Sequence, residues 1–117
     1  MTKNDLPAMR QLAANGQIVY TDHGVERMIE RGYTTSDVEK ILTSPTTQFI
    51  ETQSPNAKHP HERGVVSDPL FMPDTAIVFA INLSNPSSPE LVIITVEEAT
   101  NEKWEKSRAD NPWLVRK

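Results

Sequence analysis

The chain has 117 residues and a mass of 13.2 kDa, the size of one compact domain. It contains no cysteine, which excludes disulfide scaffolds, cysteine zinc sites and thiol nucleophiles. With 12 Lys and Arg against 16 Asp and Glu, the net charge is −4, so the broad cationic surface needed to coat nucleic acid is missing, while a small local basic site is still compatible with that total.

Residues 4–15 predict a short helix. Asn4 or Asp5 can cap it, Pro7 suits its first turn, and Leu6, Met9, Leu12 and Ala13 share a face before Asn15-Gly16 stops it. Residues 17–20 form a brief strand candidate. Thr21-Asp22 then caps a second helix from His23 to Arg31, ended by Gly32, with Val25, Met28 and Ile29 as its expected buried side. A third helix starts after Thr34, with Thr34 and Asp37, or Ser36 and Glu39, in capping-box spacing; Val38, Ile41 and Leu42 form its apolar stripe.

Beyond Pro45 the period changes to two. Strands are expected at residues 47–52, 63–67, 75–83 and 91–96, separated by polar loops rich in Pro, Asn and Ser. The unbroken apolar run at 91–96 suggests a central strand covered on both faces. Residues 99–108 are expected to close the chain as a helix with Trp104 packing back, and Asn111-Pro112-Trp113 to be irregular. The pattern predicts an α+β fold, with N-terminal helices on one face of a mainly antiparallel sheet of about four strands and a short C-terminal helix. It is read as one domain: an N-terminal extension at 1–16, a core at 17–105 and a tail at 106–117.

No apolar run approaches the roughly 20 residues of a membrane-spanning helix. Residues 1–12 hold Lys3, Asn4, Asp5 and Arg10 in place of an apolar signal core, so a cytoplasmic protein without membrane attachment is expected.

The most informative segment is His23-Gly24-Val25-Glu26-Arg27-Met28-Ile29-Glu30-Arg31-Gly32. His23, Arg27 and Arg31 recur every fourth residue and fall on one stripe spanning about 80° of a helix. Arginine forks bind phosphate oxygens and keep their charge, and a neighbouring histidine moves a proton near neutral pH. RNA cleavage needs that combination: an acid or base at the reacting hydroxyl, and cations on the developing phosphorane. Glu26 and Glu30 offer a plainer reading of the same stripe, as a solvated face of helical ion pairs.

The motif T-D-H-G-V-E-R-M-I-E-R-G-Y, the following D-V-E-K-I-L helix and the closing strand resemble a bacterial family of domains of unknown function with the pattern H-x-x-x-R-M-x-x-R-G. That family is similar to BrnT and, more distantly, to RelE-type and barnase-like ribonuclease toxins. The resemblance covers residues 18–105. It implies helices packed on one face of a sheet, RNA cleavage without a metal or other cofactor, and a neutralising antitoxin or immunity protein as partner. It carries His23, Arg27 and Arg31 over as candidate functional residues. By analogy with barnase-like folds, whose active-site groups project from the sheet, Thr95 joins them and Glu97 is a further candidate. His61 and Arg63, at the start of a strand, are candidate substrate-binding groups pointing into the same cleft as His23. His59 and His61 are also spaced for a metal that Glu62 could join, but no fourth ligand is placed by spacing. Trp104 with Lys103, Lys106 and Arg108 can stack on a base, or anchor a helix. Tyr33 is expected in the core. The competing function is a non-enzymatic protein-binding module of the same fold.

Overall fold

The computed structural model describes residues 1–57 and 61–98 in full, and the strand backbone of residues 104–108 and 111–116. After a 3-10 turn at Lys3–Asp5, capped by Thr2, the chain forms α1 (Leu6–Ala14), β1 (Ile18–Tyr20), α2 (Asp22–Arg31) and α3 (Thr35–Thr43). Four strands follow, β2 (Gln48–Gln53), β3 (Arg63–Asp68), β4 (Met72–Asn82) and β5 (Glu90–Glu98), and then a hairpin of β6 (Trp104–Arg108) and β7 (Asn111–Arg116). The fold is α+β.

The main sheet has five strands in the order β1-β5-β4-β3-β2. β2 to β5 form an antiparallel meander, and β1 adds to the outer edge of β5 in parallel, pairing Ile18, Val19 and Tyr20 with Leu91, Val92 and Ile93. The strand candidate at residues 17–20 is this edge strand, and the expected count of about four falls short because its parallel pairing with β5 joins it to the meander, a partnership no local pattern announces. The expected C-terminal helix at 99–108 is also replaced over residues 104–108, its remainder lying outside the described residues. The stretch 104–108 is a strand paired with 111–116, the segment expected to be irregular. Its residues carry no helical apolar stripe, and a hairpin partner satisfies their backbone groups instead.

Helix boundaries follow local chemistry. Thr34 and Asp37 form the capping box of α3, with reciprocal bonds of 3.0 and 3.1 Å. Gly32 closes α2 in the left-handed conformation at φ 73°, which favours glycine. The Arg10 guanidinium reaches from α1 to the carbonyls of Ser44 (3.1 Å) and Thr47 (3.1 Å), tying α1 to the end of α3 and satisfying carbonyls there.

The main core lies between the helices and one face of the sheet. Met9, Leu12 and Ala13 of α1, Met28 of α2, and Val38, Ile41 and Leu42 of α3 pack against Val66, Ile77, Phe79, Leu91, Ile93 and Val96. On the other sheet face Val65, Ala76 and Val78 form a smaller buried cluster with Ile50 and Ile94. β7 runs beside β2, β3 and β4. β5 is thus fully buried on its helix side, while Val92 and Ile94 on the other side stay half-exposed, so the expectation of a strand covered on both faces holds for one face only.

Candidate functional site

α2 is positioned by its own first turn. The Thr21 hydroxyl accepts from the Gly24 N–H at 3.0 Å and donates to the carbonyls of Ile94 (2.9 Å) and Ile93 (3.2 Å), while the Thr21 N–H bonds to Ile93 at 3.1 Å. Those two carbonyls turn the same way because β5 bulges here: Val78 pairs with Thr95 and Phe79 with Ile93, leaving Ile94 as the extra residue. The bulge receives the helix N-terminus edge-on. Gly24 is buried against it, and a Cβ on that residue would lie 2.9 Å from the Ile93 carbonyl oxygen.

This docking sets which side of α2 faces inward, and it is not the side expected from hydropathy. Gly24 and Met28 are the buried residues. Val25 is 41% exposed and Ile29 75% exposed, because about 100° and 140° separate them from Gly24 around the helix. The apolar stripe was a poor guide here because a backbone contact at glycine, which has no hydropathy signal, decides the rotation.

The His23, Arg27 and Arg31 stripe therefore spirals toward the interface. His23 is exposed at the helix start, Arg27 is half-buried, and the side chain of Arg31 is about three-quarters buried. Arg27 bonds Glu30 at 3.0 Å. Arg31 Nη1 lies 3.7 Å from Glu98 at the end of β5, and its Nε is buried without a hydrogen-bond partner. Beside them the Tyr33 hydroxyl accepts from Thr75 at 2.9 Å, and its ring packs on the main core, as expected for it.

The remaining candidates sit elsewhere on the sheet. Thr95 is 8% exposed and pairs with Val78, and Glu97 pairs with Ala76, so both belong to the face of the smaller cluster. No hydrogen bond or ion pair among the described residues joins His23, Arg27 or Arg31 to either. Arg63 and His61 lie at the opposite end of β4 and β5 from Glu97, where they line a cavity of about 670 Å³ with Ala80, Ile81, Asn82, Leu83, Ser84, Val92 and Ile94. The structure thus divides the candidates into a helix stripe, a strand pair and a cavity wall. His59 lies outside the described residues, as do the side chains of Trp104, Lys106 and Arg108 and all of Lys103. Among the described residues no three His, Cys, Asp or Glu side chains cluster as metal ligands, and no helix is long and apolar enough to cross a membrane.

Two polar features went unnoticed in the sequence. Asp68 at the β3–β4 turn is buried; its Oδ1 accepts from Thr46 Oγ1 (2.7 Å) and from the N–H groups of Leu70 (3.1 Å) and Phe71 (3.3 Å), while Oδ2 has no partner. Burial pushes its carboxyl pKa up, but the nearby Ser44 and Thr46 hydroxyls and the N–H groups of Leu70 and Phe71 outweigh that and hold it below the usual value. Tyr20, with its hydroxyl buried and unpartnered, is pushed up to about 12 by burial and by the nearby Glu39 carboxylate. The Asp-Pro pair at 68–69 signalled a turn, but nothing local shows that the carboxylate folds inward to staple it.

Comparison of the chain with known protein families, with curated proteins and with solved structures finds no match.

Proposed function

We propose that this chain is a small ribonuclease-type toxin domain of RelE- or BrnT-like fold, which cleaves RNA by acid–base chemistry without a metal and uses α2. The observation that carries this reading is the graded burial along one helix line. An exposed imidazole at the helix N-terminus is followed, one and two turns on, by guanidiniums that are progressively more enclosed. Neighbouring positions four apart bring such side chains together. The pairs that hold the arginines, Arg27–Glu30 and Arg31–Glu98, have carboxylates 57% and 60% exposed. Pairs of that kind contribute little, so a phosphodiester can replace them.

In this mechanism His23 takes the proton of the ribose 2′-hydroxyl as its oxygen attacks phosphorus. Arg27 and Arg31 neutralise the phosphorane oxygens, and the 5′-oxygen leaves and takes a proton from water, giving a 2′,3′-cyclic phosphate. The acidic total charge restricts the target to a particular RNA, or to RNA presented on a larger assembly. The reading places the activity in the cytoplasm and calls for a neutralising protein partner during expression. The test is cleavage of ribosome-bound and free RNA with and without chelator. Wild type should cleave in both, and His23→Ala and Arg27→Ala should each lose about 100-fold or more. Undiminished cleavage by the double variant overturns the assignment.

One observation favours a second reading, a non-enzymatic protein-binding module. Val25 and Ile29 form an exposed apolar pair on the outer side of α2. On that reading growth tolerates the free protein, and Ile29→Glu abolishes partner binding while His23→Ala leaves it intact.

A further inference from the structure

The cavity lined by Arg63 and His61 has a composition that the helix stripe does not explain. Strand register builds its floor. Val19 pairs with Val92 and Val92 with Ala80, while Gly64 pairs with Phe79, which sets Arg63 beside Ala80 in the same row. Val92, Ala80 and the bulged Ile94 thus form an apolar shelf, and Leu83, 63% exposed, rises at its end. Arg63 closes one wall. It is only 8% exposed; one terminal nitrogen bonds the Ser54 carbonyl at 3.1 Å, and Nε is buried with no acceptor. His61, exposed, stands at the rim, and the other polar lining groups are the neutral Asn82 and Ser84. Among the described lining residues there is no carboxylate to answer the guanidinium.

A fixed cation against an apolar shelf, in a space within the usual size of small-molecule sites, selects a ligand with an anionic head and a hydrocarbon body. We propose that this cavity binds a small aliphatic monocarboxylate, with Arg63 receiving the carboxylate and Val92, Ile94 and Ala80 receiving the chain. His61 stands at the rim as a second nitrogen donor toward the same head group. The site is independent of the ribonuclease reading, since it uses none of His23, Arg27 or Arg31.

The experiment is calorimetric titration of the whole chain with octanoate, octan-1-ol and octylamine, with amide shifts recorded by NMR. Octanoate should bind and shift the amides of Ala80, Val92 and Ile94, and octanol should bind about tenfold or more weakly, the cost of losing a charge-assisted bond. Arg63→Gln should remove the preference for octanoate over octanol, and Val92→Trp should block both by filling the shelf. If either variant fails to fold, the wild-type comparison of the three headgroups still decides. Equal binding of octanoate and octanol, preference for octylamine, or no binding overturns the proposal. Retained preference in a folded Arg63→Gln variant also overturns it and leaves Arg63 as a staple for the loop through Ser54.

Discussion

Gly24 shows how a single residue without a side chain orients a helix. Any Cβ there meets a backbone oxygen that is itself committed to Thr21, so neither partner yields cheaply. Gly24→Ala should destabilise the protein by about 1–3 kcal/mol, although alanine favours helix, and chemical denaturation will show it as a lower midpoint. Thr21→Ala removes the cap and the hydroxyl's bonds to the β5 bulge together; its cost should reach the upper part of the range of about 0.5–2 kcal/mol seen for caps.

Asp68 makes a pH prediction. Its folded pKa lies below its unfolded one, so the folded state holds the ionised form more tightly. The resulting stability is fully present above the ordinary aspartate range and is lost as pH falls through that range to the lower folded value. Asp68→Asn should destabilise by about 1–3 kcal/mol at neutral pH. Thermal melts across the acid range should then show a shallower decline for the variant than for wild type.

Among the elements, α1 and α3 were legible from the sequence and α2 only in part. In α3 the stripe Val38, Ile41 and Leu42 is buried as its spacing dictates. In α2 the boundaries are as the caps require, but the rotation is not, because the bulge at Ile94 pulls Gly24 inward and turns Val25 and Ile29 out. Substitution distinguishes the two sides. Ile29→Lys should change stability by no more than about 0.5 kcal/mol, whereas Met28→Ala should cost about 2–4 kcal/mol. Urea titrations of both variants check this. The C-terminal segment erred the other way: charged residues around Trp104 suited a helix as well as a strand, and pairing with 111–116 settled the matter.

For the whole molecule, the sheet order decides which candidate residues can cooperate. Alternation along β3 already put Arg63 on the same side as Val65, and alternation along β5 set Thr95 and Glu97 apart from Val96. Which residues of different strands become neighbours depended on register, and register could not be read from any one strand. That is why Arg63 and His61, expected in a cleft with His23, instead share a cavity with Ala80 and Val92 at the opposite end of β5 from Glu97. The composition alone established a cysteine-free, mildly acidic chain of one domain's length, and the order of helical and period-two patterns made it α+β. Capping residues marked the helix ends, and period-two patterning marked the meander, because those signals act between residues close in sequence. The rotation of α2, the parallel pairing of the edge strand with β5 and the division of the candidate residues arose only in the tertiary structure. Each rests on backbone groups meeting across long sequence separations, where a glycine or a carbonyl counts as much as any side chain.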